Sequence, residues 1–349
     1  MKKTRVLIID DSATLRRLIR ARLDADCRIE VVGEAADPYE AREKIKALSP
    51  DVVTLDVEMP RMNGLEFLAR LMRLRPLPVV MISTETHRGS AAAIEALSLG
   101  AVECLGKPAP DRPGKFLEDI ADVLIGAAGA RLHSMVRRPP HVVCPGDFEW
   151  NGRIVLIGAS TGGVEALETV LGGFPENCPP TLITQHMPPG FLASFARRLD
   201  QHIAPRVRLA SDGAPLLPGK VYLASGGETH LVVAPGYPPC CRLAGGDKRS
   251  GHRPSVDVLF ESALPLAMRT VAVVLTGMGR DGAEGMATLR RAGARCIAQD
   301  ESTSVIFGMP RAALELGGAE MAVPLPSITQ EILRLTGADR TRCAGMGSQ

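Results

Sequence analysis

Val6-Leu7-Ile8-Ile9-Asp10-Asp11 decides the fold of the first third of the chain. Four aliphatic residues in a row, cut off by two aspartates, read as a short strand buried on both faces. A helical pattern follows from Ser12, with Leu15, Leu18, Ile19 and Leu23 on one side. Working outward, the same alternation recurs. Strands are expected at 29–32, 52–55, 79–82 and 102–105, with helices between them, one from about 38 to 48. Five β–α pairs of this kind predict an α/β domain around a five-stranded parallel sheet covered on both faces.

Between 126 and 150 the pattern stops. Gly126, Gly129, Arg137-Arg138-Pro139-Pro140 and Pro145-Gly146 read as a linker, with the arginine pair as a solvated hinge. From Arg153 the alternation restarts. Strands are expected at 154–157, 181–184, 221–224, 231–233, 270–275 and 295–298, and helices at 163–171, 191–199, 255–263, 283–292 and 328–335. The organisation expected is therefore a domain at 1–125, a linker at 126–150, a second, doubly wound α/β domain at 151–338, and a flexible tail at 339–349.

Composition agrees with two ordinary cores. Of 349 residues, 45% are hydrophobic and 23% charged, and the length alone suggests two domains. The 41 basic and 39 acidic side chains leave a net charge of +2, and aromatics are only 3%, so neither a basic field nor stacking platforms favour nucleic acid. The eight cysteines include no Cys-x-x-Cys pair, which points to reduced thiols rather than a disulfide framework or a zinc site. No apolar run approaches the ~18 residues that cross a bilayer. The N-terminal apolar run ends at two aspartates, too short for a signal peptide. A cytoplasmic protein is expected.

In the first domain the chemistry sits at strand ends. Asp10 and Asp11 close the first strand, Asp56 the third, Ser83 the fourth and Lys107 the fifth. In a doubly wound sheet these ends open into one crevice. Three carboxylates there call for a hard cation such as Mg²⁺, and a hydroxyl with an ammonium group suits a phosphorylated carboxylate. The plainer reading, that Asp10 and Asp11 only cap the helix beginning at Ser12, does not account for the other three residues. With Asp56-Val-Glu-Met-Pro-Arg-Met-Asn-Gly64, this set resembles the response-regulator receiver domain over about 4–124. The resemblance implies a flavodoxin-like fold in which Asp56 accepts a phosphoryl group from a histidine kinase. It also implies that Asp10, Asp11 and Asp56 hold Mg²⁺, that Ser83 is the switch hydroxyl and that Lys107 contacts the phosphate. Receivers usually carry an aromatic where this chain has Cys104, so the usual aromatic rotamer switch is not expected.

In the second domain, 154–157 runs into Gly158-Ala159-Ser160-Thr161-Gly162-Gly163 ahead of a helix. Small residues around Ser160 permit a tight turn that exposes its hydroxyl, and a helix N-terminus suits an oxyanion. The same glycine-rich turn could instead cradle a phosphate, or Ser160 could be a helix cap. His186 follows the next strand, and Asp281 lies beyond the strand at 270–275; if these strands are parallel, all three side chains emerge at one edge. Asp281 with Glu284 also reads as a capping-box variant. His230 and His252 compete as bases, and Ser255 and Asp257 sit in Gly251-His-Arg-Pro-Ser-Val-Asp257. Spacing alone leaves the choice open.

Residues from about 152 to 335 resemble the catalytic domain of chemotaxis receptor methylesterases, the CheB family. The matching segments are Ile157–Gly163, Gln185-His-Met187, Gly251–Asp257, Leu275–Gly282, Gln299-Asp-Glu301 and Phe307-Gly-Met-Pro310. The resemblance implies a nucleophile at Ser160, a base at His186 and an orienting acid at Asp281, with the main-chain N–H groups of Thr161 and Met278 as the oxyanion hole. It implies hydrolysis of glutamate methyl esters on methyl-accepting chemoreceptors, releasing methanol, and deamidation of receptor glutamines, with no cofactor in this domain. Contact with the membrane is then only through the receptors. The receiver is expected to cover the cleft until Asp56 is phosphorylated. The alternative class is a phosphorylation-controlled binding module.

Overall fold

The computed structural model describes residues 2–59, 61–83, 87–107, 120–132 and 148–338. The first unit comprises β1 Thr4–Ile9, α1 Ala13–Asp24, β2 Ile29–Ala35, α2 Pro38–Leu48, β3 Val52–Asp56, α3 Gly64–Leu74, β4 Val79–Ser83, α4 His87–Ser98, β5 Glu103–Gly106 and α5 Ile120–Ala128. Its five strands are all parallel, in the order β2-β1-β3-β4-β5. Alternate residues of β1 serve opposite faces. Leu7 and Ile9 join the core under α2 and α3, whereas Val6 and Ile8 join the one under α1 and α5. Ser12, rather than either aspartate, caps α1: its hydroxyl accepts the Leu15 N–H at 3.3 Å.

The second unit contains β6 Ile154–Ala159, α6 Gly163–Gly172, β7 Thr181–Gln185, α7 Pro189–His202, β8 Arg206–Leu209, β9 Lys220–Leu223, β10 Thr229–Ala234 and β11 Cys240–Gly245. It continues with α8 Val256–Ser262, a 3₁₀ turn Leu264–Arg269, β12 Thr270–Val274, α9 Ala283–Arg291, β13 Arg295–Gln299, α10 Met309–Glu315, β14 Met321–Val323 and α11 Leu325–Thr336. Seven parallel strands run in the order β14-β13-β12-β6-β7-β9-β8, and β10 with β11 forms a separate antiparallel pair. The chain builds from β6 toward β7 on one side and from β12 toward β14 on the other. The order therefore reverses beside β6, and the crevice at its carboxyl end is where open α/β sheets bind ligands. β6 is buried along its whole length. Val155 and Ile157 pack with α6 and α11, and Leu156 packs with α8 and α9, so one strand anchors both helical layers.

Four elements were not expected from the sequence. β8 alternates arginine with apolar residues at the sheet edge, β14 is only three residues long, and β11 and the short α10 lack a periodic stretch. α5 runs on to Ala128, so residues 126–128, read from the sequence as the start of a linker, are helical. Most of that linker (133–147) and the expected tail (339–349) lie outside the described residues. Among the described residues no helix is long and apolar enough to cross a membrane.

The two units touch across the crevice. α4 packs on α6 and α7. Ser98 Oγ donates to Glu168 Oε1 at 3.1 Å, and the Arg131 guanidinium bonds Glu301 Oε1 at 2.7 Å. The main-chain N–H of Arg131 donates to the Val305 carbonyl at 3.0 Å. A Cβ added to Gly126 would lie 1.8 Å from Met278 Cε, so the flexible Met278 side chain would have to shift for α5 to keep its approach to that loop.

Candidate active site

Strand β6 ends in Gly158-Ala159 and turns at Ser160 into α6. Gly162 makes the turn with φ +77°, a conformation that favours glycine, and a Cβ there would meet Val305 at 2.7 Å. Gly162, not Ser160, is the N-cap of α6, and it has no side-chain capping bond. Ser160 is therefore not explained as a helix cap. Its main chain is fixed from three sides: its N–H donates to the Thr276 carbonyl at 3.1 Å, and its carbonyl accepts from Gly163 N at 2.8 Å and Gln185 Nε2 at 2.9 Å. Gly277 lies directly against it; a Cβ there would sit 2.7 Å from Ser160 Cβ.

His186 continues β7, with its N–H on the Ala159 carbonyl at 3.0 Å. Its ring is almost buried, with 6% of the side chain exposed, and Nε2 lies 2.8 Å from Asp281 Oδ2. Nδ1 is buried with no hydrogen-bond partner among the described residues. Because Nε2 donates to the carboxylate, Nδ1 is left as the basic nitrogen. No hydrogen bond joins Ser160 Oγ to this ring among the described residues, so the geometry brings the imidazole and carboxylate into contact and leaves the hydroxyl unlinked.

Asp281 does not cap α9, whose N-cap is Gly282. It sits instead on the start of α8. Oδ1 accepts from Ser255 Oγ at 2.8 Å and Asp257 N at 3.0 Å, and Oδ2 accepts from Val256 N at 2.7 Å as well as facing His186. Burial alone would push this carboxyl up. The His186 bond and charge, with the two main-chain N–H groups, outweigh it and hold Asp281 well below the usual carboxylate range. Behind it, Asp257 is pushed up to about 6 by burial and by the charge of Asp281, against the Gly285 N–H that it accepts at 2.8 Å.

The competing histidines separate cleanly. His230 Nδ1 accepts the Ser255 N–H at 3.1 Å and Nε2 faces the Asp247 carbonyl at 2.9 Å, so both nitrogens are committed to structure. His252 stacks flat on His186, with centroids 3.7 Å apart and planes 6° from parallel. Burial, then the neighbouring His186, lowers its pKa to about 4, which keeps the stacked ring neutral. Sequence reasoning saw His252 only as a rival base; its place in the Gly251–Asp257 loop gave no sign of stacking. It also missed Thr276, whose hydroxyl donates to the Thr161 carbonyl at 3.0 Å and accepts from Ile306 N at 2.9 Å. The N–H groups of Thr161 and Met278 make no hydrogen bond to a described residue. The Thr161 hydroxyl, however, bonds Glu103 of the first unit at 2.6 Å.

These observations place a serine loop, a carboxylate-paired imidazole and unpaired N–H groups at the switch point of the sheet. A family model described as CheB methylesterase matches residues 155–332, and one described as response regulator receiver domain matches residues 6–116. The chain belongs to the CheB methylesterase family. Proteins named protein-glutamate methylesterase/protein-glutamine glutaminase from Agrobacterium fabrum and Caulobacter vibrioides (the latter carrying the suffix 1) are each 55% identical to it. The first match covers 96% of this chain and 97% of the relative, and the second 97% and 100%. The crystal structure of the Thermotoga maritima CheB methylesterase catalytic domain is 39% identical, with a TM-score of 0.51, over 53% of this chain and 99% of that one.

The receiver's acidic crevice is built as its strand ends suggest. Lys107 Nζ bonds Asp56 Oδ2 at 2.8 Å and lies 3.8 Å from Asp10 Oδ2. Asp10 Oδ1 accepts the Ser12 N–H at 2.8 Å, while its buried Oδ2 has no hydrogen-bond partner among the described residues. Burial and the charge of Asp56 push Asp10 up to about 6, and burial also raises Asp56. Oxygen atoms of Asp10, Asp11 and Asp56 lie within 4.8 Å of one another. A buried carboxylate oxygen without a hydrogen bond, in an all-oxygen donor set, fits a hard divalent cation. Ser83 is buried at the end of β4 on the same rim.

Proposed function

We propose that this chain hydrolyses glutamate methyl esters on methyl-accepting chemoreceptors, releasing methanol, and deamidates receptor glutamines, under control of phosphorylation at Asp56. The observation that carries this reading is the His186–Asp281 pair with a free, buried Nδ1 beside the Ser160 turn.

In this reading Ser160 Oγ attacks the γ-carbonyl carbon while His186 Nδ1 takes its proton. Asp281 stabilises the imidazolium and holds the tautomer. The Thr161 and Met278 N–H groups receive the developing oxyanion; removal of one such donor typically costs roughly 10²–10³ in rate. His186 then returns the proton to the departing methanol or ammonia, and water activated by the same nitrogen releases the glutamate. The absent Ser160–His186 bond is compatible with this, since hydrogen bonds in unliganded sites often tighten only when substrate binds. The flat, neutral His252 holds the ring plane against rotation.

In the receiver, Asp56 accepts the phosphoryl group from a histidine kinase, Ser83 and Lys107 respond to it, and Asp10, Asp11 and Asp56 would hold Mg²⁺, whose charge would offset that of the transferred group. Cys104 replaces the usual aromatic, so the signal passes through β5 and its contacts with the catalytic domain. Contacts of Glu103, Gly126 and Arg131 with the active-site loops make the receiver a cover over the cleft. The protein acts in the cytoplasm and reaches the membrane only through receptors. The test is methanol release from methylated receptor membranes by the full chain with and without a small phosphodonor, alongside Asp56→Asn. Stimulation of the wild type alone supports the reading; equal rates in all four conditions overturn the phosphorylation control.

A further inference from the structure

We propose that Glu103 of the receiver occupies the acyl subsite of the catalytic domain as an internal stand-in for the reaction product, and that the Thr161 hydroxyl is the group that reads the substrate γ-carbonyl. This inference rests on the hydrolytic reading of Ser160 given above.

The product of either reaction is a glutamate side chain, and the receiver presents one at the candidate nucleophile. Glu103 Oε2 accepts from Thr161 Oγ1 at 2.6 Å, on the residue next to Ser160. Its other oxygen accepts the adjacent Cys104 N–H at 3.1 Å. Glu103, Ser160, Gly162 and Gln185 line one cleft, and the carboxyl is near enough to His186 to feel its charge. A carboxylate placed at a domain seam for adhesion would be paired with a cation, because an unpaired buried charge is costly. Among the described residues Glu103 has no lysine or arginine partner. Arg131, which lines the same cleft, is committed to Glu301. The contact is thus weak as glue and well shaped as a substrate analogue.

Burial raises the pKa of Glu103, so its surroundings favour an uncharged γ-group of the kind that a methyl ester or a carboxamide carries.

Three variants of the full chain test the proposal on methylated receptor membranes. Glu103→Ala is expected to raise the rate without phosphodonor by roughly two- to tenfold, the worth of one net hydrogen bond. Its phosphorylated rate should match wild type. Glu103→Gln places a carboxamide in the acyl subsite and is expected to become its own substrate. Ser160 Oγ bonds to the side-chain carbonyl carbon, the C–N bond breaks, ammonia leaves with the proton from His186, and water restores a glutamate. Mass spectrometry of the peptide carrying residue 103 reads that conversion, and the Glu103→Gln/Ser160→Ala double variant must not show it. An unchanged basal rate in Glu103→Ala overturns the proposal. So does an introduced glutamine that persists in protein still hydrolysing receptor esters, or one that converts equally without Ser160. Failure of the hydrolytic reading itself looks different: Ser160→Ala alone would then keep releasing methanol.

Discussion

Asp281→Asn changes one oxygen to an amide nitrogen, yet the surroundings allow no neutral outcome. Four donors converge on the carboxylate: Ser255 Oγ and Asp257 N on Oδ1, and Val256 N and His186 on Oδ2. An asparagine offers one acceptor and one NH₂ group. With its oxygen toward Ser255 and Asp257, the NH₂ faces Val256 N–H and His186. The ring must then accept at Nε2 and carry its proton on Nδ1, which abolishes the base. With the amide reversed, His186 keeps its tautomer but the NH₂ meets Asp257 N–H. Either orientation orphans one buried main-chain donor, at about 1–3 kcal/mol. That corresponds to a Tm loss of roughly 2–12 °C for a domain of this size. The first orientation is expected to dominate the kinetics and lower kcat by about 10⁴, the cost of a wrong tautomer in a serine triad. Methanol release by phosphorylated full-length protein and a thermal melt measure both effects. A folded variant retaining kcat within tenfold of wild type would refute the reasoning.

Further outcomes follow from the same contacts. In Gly277→Ala the new Cβ presses on Met309 Sδ, which can yield, and on Ser160 Cβ, which cannot; kcat should fall roughly 10²-fold for a displacement of about 1 Å, with a stability loss of about 1–3 kcal/mol read by melting. Arg131→Ala removes an exposed ion pair to Glu301 worth about 1 kcal/mol or less, so the rate without phosphodonor should rise no more than about fivefold. Asp257 has a folded pKa of about 6 against an ordinary 3.8, so its contribution is fully present below pH 4 and is lost as pH rises through 6. In Asp257→Asn the carbonyl can still accept from Gly285 N and the amide can donate to Ser250 Oγ. Its Tm relative to wild type should therefore climb between pH 4 and pH 7, and parallel curves would contradict the assignment.

Much of the fold was legible because parallel strands buried on both faces leave unmistakable aliphatic runs, as at β1, β6 and β12. The residues ending those runs, Asp10, Asp56, Ser83, Lys107, Ser160 and His186, could be placed because topology sends every carboxyl end to one edge. Edge strand β8 was invisible because its arginines alternate toward solvent. The bonds that hold Asp281 were hidden because its nearness in sequence to α9 suggested a local cap, whereas the donors it satisfies belong to the start of α8, some 25 positions earlier. The stack of His252 on His186 and the bond from Thr161 to Glu103 join segments that share no pattern, so only coordinates reveal them.

Ser160→Ala in the phosphorylated full-length chain, assayed for methanol release from methylated receptor membranes, bears most directly on the hydrolytic assignment. Loss of the hydroxyl should lower kcat by about 10⁴-fold or more, with the melting curve unchanged. A variant that melts normally and releases methanol at the wild-type rate would contradict it.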